Sequence, residues 1–338
     1  METLNTTPLF NTSGDDSPDK QSLIGANSTG ILNLDECKYK WVKPLYMRML
    51  GNHWIPEKIS LVDDKVTKTH LTEDEEEAVK STLSFLIFLD SVQVANLDNI
   101  AEYITNAGVS NLLKIQTFQE VIHSQSYQHI LQSLWSYAER QEVYERWRDN
   151  PILRERNEYI SSVYQKFVDS PTRDNFKRVI VANYLLEGVY FYNGFNFFEQ
   201  LASRNKLIQT SKEIDYIKTD EGTHLALFLN IINTREIVDV EEDADWIYGM
   251  FREAVDQEIR WGKHVYGNNI MGISEKSTED YIRWIGNNRL NAMGLSKIFG
   301  DVSNPYRHLE GAKETNFFEA GGVTDYDRAE SVAGWDDF

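Results

Sequence analysis

Between Thr72 and Ile298 the chain carries only two prolines, Pro151 and Pro171, and its apolar residues recur at helical intervals almost throughout. Proline inside a helix removes a main-chain bond and clashes with the preceding turn, so stretches free of it can run as long helices. The periodicity predicts helices over 34–50, 72–98, 100–107, 111–140, 154–168, 173–204, 207–234, 243–265 and 276–297. Thr72, followed by Glu73, Glu75 and Glu76, reads as a helix start. The other prolines, Pro8, Pro18, Pro44, Pro56 and Pro305, lie before the long segments, near an early helix start, or after the last segment. Several segments exceed about 25 residues, roughly twice the globular average, and such helices bury their flanks by running side by side through a bundle. The expected fold class is all-α.

Residues 1–30 are rich in Ser, Thr, Asn, Asp and Gly without apolar periodicity, which predicts a flexible N-terminal arm. Residues 320–338 (AGGVTDYDRAESVAGWDDF) return to that composition with isolated aromatics, which predicts a flexible tail. A helical domain over 31–319 is expected between them. The net charge of −19 argues against nucleic acid as a partner, because phosphate-backbone binding needs clustered Lys and Arg. Cys37 is the single cysteine, so no internal disulfide can form. The first residues lack the basic and apolar blocks of a signal peptide, and no run approaches 18 apolar residues. A cytoplasmic, non-membrane protein is expected.

Chemistry enters with two Glu-x-x-His pairs, Glu120 with His123 and Glu221 with His224. At a spacing of three, both side chains of each pair leave one face of a helix and could grip one metal ion. Asp90 in SFLIFLDSVQVANL and Glu187 in VIVANYLLEGVYFYNGF stand where a helix should be apolar. An isolated carboxylate buried there is costly unless it is protonated, paired or metal-bound. Taken singly, a Glu-x-x-His pair is more often a solvated helix face, and a buried Glu is more often hydrogen-bonded to a neighbour. Taken together, in the order acid, Glu-x-x-His, acid, Glu-x-x-His, the six residues point to one site. Four carboxylates would balance two divalent ions, and oxygen-rich ligation with one nitrogen per ion suits iron or manganese. Ferritin-like bundles with a four-helix dimetal-carboxylate core have this arrangement.

With EVIHSQSY (120–127), LEGVYFYNGF (186–195), DEGTH (220–224), YIRWIGNNRLNAMGL (281–295) and KETNFFE (313–319) in this order, the chain resembles the small subunit of class I ribonucleotide reductase over about residues 30–320. Asp90 lies one residue nearer to Glu120 than that resemblance leads one to expect. The resemblance implies a ferritin-like fold with extra flanking helices and two metal ions per chain, iron, manganese or a mixed pair. It implies that the metal pair reacts with oxygen or a reduced oxygen species and that Tyr127, or the pair itself, stores an oxidising equivalent. Trp54, in NHWIPEKI, and Asp220 match the relay that passes the equivalent on, with Asp220 accepting a hydrogen bond from Trp54 or from the ligand histidine. Tyr326 resembles a mobile tyrosine bridging to the large subunit, and Trp335 and Phe338 look like anchors of a tail that docks there. Phe191 and Phe195 would help to enclose the radical. A homodimer that reduces ribonucleoside diphosphates with its large subunit is the implied assembly. The ligand set alone leaves open an oxidase or monooxygenase of the same fold, a metal store, and a subunit that only scaffolds its partner; the 313–319 segment and the aromatic tail favour the reductase.

Overall fold

The structure, a computed structural model, describes residues 3–307 and 309, so the 313–319 segment, Tyr326, Trp335 and Phe338 lie outside it. Among the described residues the architecture is helical, without strands. The order is α1 (Val42–Gly51), α2 (Val62–Thr67), α3 (Glu73–Ala101), α4 (Ala107–Leu134), α5 (Tyr137–Asp149), α6 (Pro151–Asp169), α7 (Arg173–Leu185), a wide π-turn (Leu186–Tyr190), α8 (Tyr192–Ala202), α9 (Ile208–Asn233), α10 (Ala244–Val265) and α11 (Glu275–Ala292). The chain folds as the all-α, ferritin-like bundle expected of it, with α3, α4, the α7 to α8 run and α9 carrying the site.

Local chemistry sets where these helices begin. Thr72 Oγ1 accepts the Glu75 amide at 3.2 Å while Glu75 Oε2 accepts the Thr72 amide at 2.9 Å, a reciprocal cap that starts α3. Asn106 caps α4 through the Val109 amide at 3.1 Å, and Thr172 caps α7 through the Asn175 amide at 3.3 Å. The start of α9 is capped from a distance. Leu207 precedes it with φ +49°, and Asp64 of α2 accepts the Gln209 amide at 3.2 Å and the Thr210 amide at 2.6 Å. A carboxylate at a helix N-terminus also meets the positive end of its dipole, which helps hold a buried leucine in a left-handed conformation.

Helix α3 is, among the described residues, the one helix long and apolar enough to cross a membrane. Here it packs against α4, α5 and α6 with Leu83, Leu86, Leu89 and Leu97 at 1% exposure or less, so its apolarity is spent on the core. Segment 1–30, read as a flexible arm, is laid down on the bundle where it is described: Leu23 is wholly buried and its amide donates to Glu236 at 2.8 Å. Ser28 and Thr29 hydroxyls close on Asp16, and Thr105 donates its amide to the Leu23 carbonyl at 2.8 Å. Polar side chains bonding main chain substitute there for apolar periodicity.

Four predicted spans need correction. The segment read as one helix over 173–204 is α7 and α8 with the π-turn between them, and the stretch 111–140 divides at Trp135–Ser136, where Ser136 with Glu139 starts α5. The first helix begins at Val42 rather than 34, and 100–107 holds the last residues of α3, the break at 102–106 and the first residue of α4.

Candidate metal centre

All six residues singled out from the sequence converge, each wholly buried, from four helical runs: Asp90 from α3, Glu120 and His123 from α4, Glu187 from the π-turn, Glu221 and His224 from α9. They form two four-donor sets, Asp90, Glu120, His123 and Glu221 on one side and Glu120, Glu187, Glu221 and His224 on the other. Within each set the donor atoms lie within 4.8 Å of one another. Glu120 and Glu221 belong to both sets, whereas Asp90 and Glu187 are each confined to one. Two ions held here would have one imidazole and one private carboxylate each, and two carboxylates in common.

The distances agree with that chemistry. His123 Nδ1 is 3.1 Å from Glu120, 3.2 Å from Glu221 and 3.8 Å from Asp90. His224 Nδ1 is 2.8 Å from Glu221, 3.2 Å from Glu120 and 3.7 Å from Glu187. Donors about 2.1 Å from a common ion and at right angles to one another sit about 3 Å apart, so this is the spacing a coordination shell imposes. Two carboxyls also lack partners an apolar core would demand: both oxygens of Asp90 and Oε2 of Glu187 have no hydrogen bond among the described residues. The residues present therefore fit a pair of divalent ions.

Electrostatics say what the carboxylates do without metal. Burial pushes Asp90 well above the carboxylate range, and Glu120 and Glu221 push it further; burial and Glu221 do the same to Glu187. Burial opposes the charged imidazoles, but His123 is drawn up by Asp220, Glu120 and Glu221, and His224 by Glu120 and Glu221. Burial also opposes ionised Glu221, but hydrogen bonding with Glu187 and the two histidines hold it below its ordinary range. The cluster stores protons that metal binding must displace.

The outward edges of both imidazoles are tied down. His123 Nε2 lies 3.2 Å from Asp220 Oδ2, and His224 Nε2 lies 2.9 Å from Gln119 Oε1. Each Nε2 keeps its proton in that arrangement, so metal binding would displace the proton on Nδ1, whose lone pair then faces into the donor set. Asp220 was expected to bond Trp54 or the histidine and does both: Trp54 Nε1 donates to Oδ2 at 2.9 Å. Gln119 closes the circuit by donating to Asp220 Oδ1 at 3.2 Å. Trp54, 4% exposed, stands on the wall of a cleft of about 320 Å³ lined also by Met49, His53, Phe118 and Ile122, so the chain from His123 leads to the surface.

Sequence reasoning missed Gln119 and three further supports. Gln93 and Gln116 both donate to Glu187 Oε1, the latter at 2.7 Å, and Tyr164 in turn donates to Gln93 at 3.0 Å. Gln93 and Gln116 could have been found as further polar residues in apolar helices; Tyr164, on α6, carries no sequence signal.

Tyr127 follows His123 by one helical turn, is wholly buried, and faces Asp90 without a hydrogen bond of ordinary geometry. Burial, then the charges of Asp90 and Glu221, raises its phenol well above the usual range, so it stays protonated. Phe191 and Phe195 are wholly buried and stack with centroids 5.8 Å apart. Beside Tyr127, the Ser126 hydroxyl donates to Glu213 of α9 at 2.6 Å, and His129 Nδ1 lies 2.8 Å from the other Glu213 oxygen. Burial pushes Glu213 up to about 8 against the Ser126 bond, with Glu57 and Asp64 adding to the rise.

A raised carboxyl stabilises the fold fully below its unfolded value near 4.5 and loses that contribution as pH climbs through about 8. Glu213→Gln keeps shape and both hydrogen bonds but cannot ionise. Urea unfolding of the two proteins is expected to agree near pH 5 and to diverge by pH 9, the wild type losing a few kcal/mol relative to the variant. Stabilities that stay parallel over that range would show Glu213 already ionised at pH 5.

The family model for the ribonucleotide reductase small chain matches residues 31–305. The ribonucleoside-diphosphate reductase subunit beta of Treponema pallidum is 39% identical over 295 residues, 86% of this chain and 84% of that protein. The protein of the same name from Halalkalibacterium halodurans is 36% identical over 329 residues, 94% of this chain and 95% of the other. Among solved structures, the ribonucleotide reductase R2 subunit of Clostridium botulinum superposes with a TM-score of 0.88 at 42% identity, covering 92% of this chain and 99% of that one.

Proposed function

The chain belongs to the ribonucleotide reductase small-chain family, and from that premise we propose that its six buried ligands hold two metal ions whose oxidising equivalent is stored at Tyr127 and passed outward through His123, Asp220 and Trp54. The protein is an oxidoreductase, the small subunit of ribonucleoside-diphosphate reductase, and acts with a large subunit that reduces ribonucleotides to deoxyribonucleotides. The relatives quoted all carry the reductase name, and none points to an oxidase or a metal store. One observation supports the site reading above the rest: two donor sets that share Glu120 and Glu221 lie in a wholly buried cluster beside a buried tyrosine.

Bound metal, iron, manganese or one of each, would supply the activation of oxygen or a reduced oxygen species. The protein's own groups do the rest. Gln119 and Asp220 keep both imidazoles in the metal-binding tautomer. The apolar shell, with Phe191 and Phe195, keeps water away from an oxidised phenol. A phenol that gives up an electron must also shed its proton, and Tyr127 faces Asp90, which bound metal would keep as the carboxylate able to accept it. The Trp54 to Asp220 to His123 chain connects this interior with the cleft, where a partner can reach it. Docking through the 320–338 tail, a bridging role for Tyr326, a homodimer and a cytoplasmic setting complete the proposal.

The test is to load metal-free protein with iron and with manganese separately, expose it to oxygen, count metal, record electron paramagnetic resonance and assay diphosphate reduction with the large subunit. About two ions per chain and turnover under one loading support the reading; two ions and no oxidised species under any loading overturn it. Trp54→Phe separates storage from transfer, since it removes only the donor to Asp220. Metal content and the stored radical are expected to persist while turnover falls at least about a hundredfold; unchanged turnover would remove Trp54 from the path.

A further inference from the structure

The π-turn that presents Glu187 is held by one residue of α11. Gly188, within the turn, gives its carbonyl to Arg289 Nε at 3.0 Å. The Arg289 guanidinium lies over the ring of Tyr192, just past the turn, at 4.8 Å from its centroid. The Arg289 carbonyl accepts the hydroxyl of Tyr184, just before the turn, at 3.1 Å. Arg289 thus touches the chain before, within and after the wide turn. A side chain at 188 would displace the clamp: a Cβ there would sit 2.8 Å from Leu225 Cδ1 and 3.1 Å from Arg289 Nε, and both side chains would have to shift. Leu225 follows the ligand His224 directly.

The turn decides where Glu187 points. A π-turn inserts one extra residue into a helix, and a one-residue change of register rotates a side chain by about 100° around the axis. Glu187 Oε1 is fastened by Gln93 and Gln116, but Oε2, 3.7 Å from His224 Nδ1, has no hydrogen bond of ordinary geometry among the described residues and takes its aim from the main chain. We infer that Arg289 is a positioning residue for the Glu187 half of the centre: by holding the Gly188 carbonyl it keeps the wide turn from relaxing into ordinary helix and so keeps Oε2 in the second donor set. The Asp90 donor set, with Asp90 on α3, does not include Glu187.

This rests on the two-metal reading, and a manganese(II) titration of metal-free full-length protein, followed by electron paramagnetic resonance, tells the two apart. Wild type is expected to take two ions and to show the spectrum of a coupled pair at two equivalents. R289Q is expected to bind the first ion as wild type does and the second at least about tenfold more weakly, leaving an uncoupled six-line signal. If circular dichroism shows R289Q unfolded, R289K, which keeps the charge but not the Nε donor to Gly188, is judged by the same criterion. A variant that forms the coupled pair at wild-type affinity, or that weakens both ions equally, overturns the assignment. Wild type that never forms a coupled pair overturns the two-metal reading itself, and the inference with it.

Discussion

Tyr127→Phe is expected to bind two metal ions with unchanged affinity, to show no tyrosyl signal after oxidation, and to lose turnover with the large subunit by at least about a thousandfold. The substitution removes a single oxygen from a wholly buried ring, and that oxygen has no hydrogen-bond partner of ordinary geometry to lose. Stability should therefore hold or rise slightly, because deleting an unsatisfied buried hydroxyl removes a desolvation cost. None of the six ligands is touched, so metal content should not move. What disappears is the buried phenol that faces Asp90 and can give up an electron together with its proton. Electron paramagnetic resonance and metal analysis on one sample decide the matter. A multiline metal signal with retained turnover in the variant would place the oxidant on the metal pair and leave Tyr127 as a core aromatic.

How much of this could be read before the fold was known depends on the span over which each signal acts. The Glu-x-x-His pairs are local: a spacing of three fixes two side chains on one helix face whatever the tertiary structure, and His123 and His224 each sit 3.1 Å or less from their own glutamate. Asp90 and Glu187 were legible because a carboxylate in an apolar helix contradicts its surroundings. Asp220 was legible only by resemblance. Gln119 was not, since it meets His224 from a different helix, 105 residues away, and nothing in either segment encodes that meeting. Arg289 is hidden in the same way, 101 residues from the Gly188 carbonyl. The π-turn was invisible because its apolar run reads as uninterrupted helix; the extra residue shows only once α9 and α11 press on Gly188. Likewise α2 gave no periodic signal, yet its Asp64 caps α9 from outside.

The sharing of two carboxylates between the donor sets yields the most demanding prediction. If the sets were independent, any one ligand could be deleted at the cost of a single ion. Glu120 and Glu221 belong to both, so Glu221→Ala should lose both ions, whereas Asp90→Ala and Glu187→Ala should each lose one. Glu221 also carries more of the local charge than its neighbours: Asp90 and Glu187 are pushed toward their neutral forms, while Glu221 stays ionised between two histidines. Removing it leaves His123 and His224 facing fewer acids and takes the common anion from between two divalent ions, so their mutual repulsion is no longer offset. Both dissociation constants are expected to rise at least about a hundredfold, or about 2.7 kcal/mol per ion. Metal analysis after dialysis against a weak chelator should find close to zero ions per chain in Glu221→Ala, about one in each of the other two variants and about two in wild type. Retention of one tightly held ion by Glu221→Ala would mean that the sets do not share this carboxylate, and the centre would have to be redrawn as two separate sites.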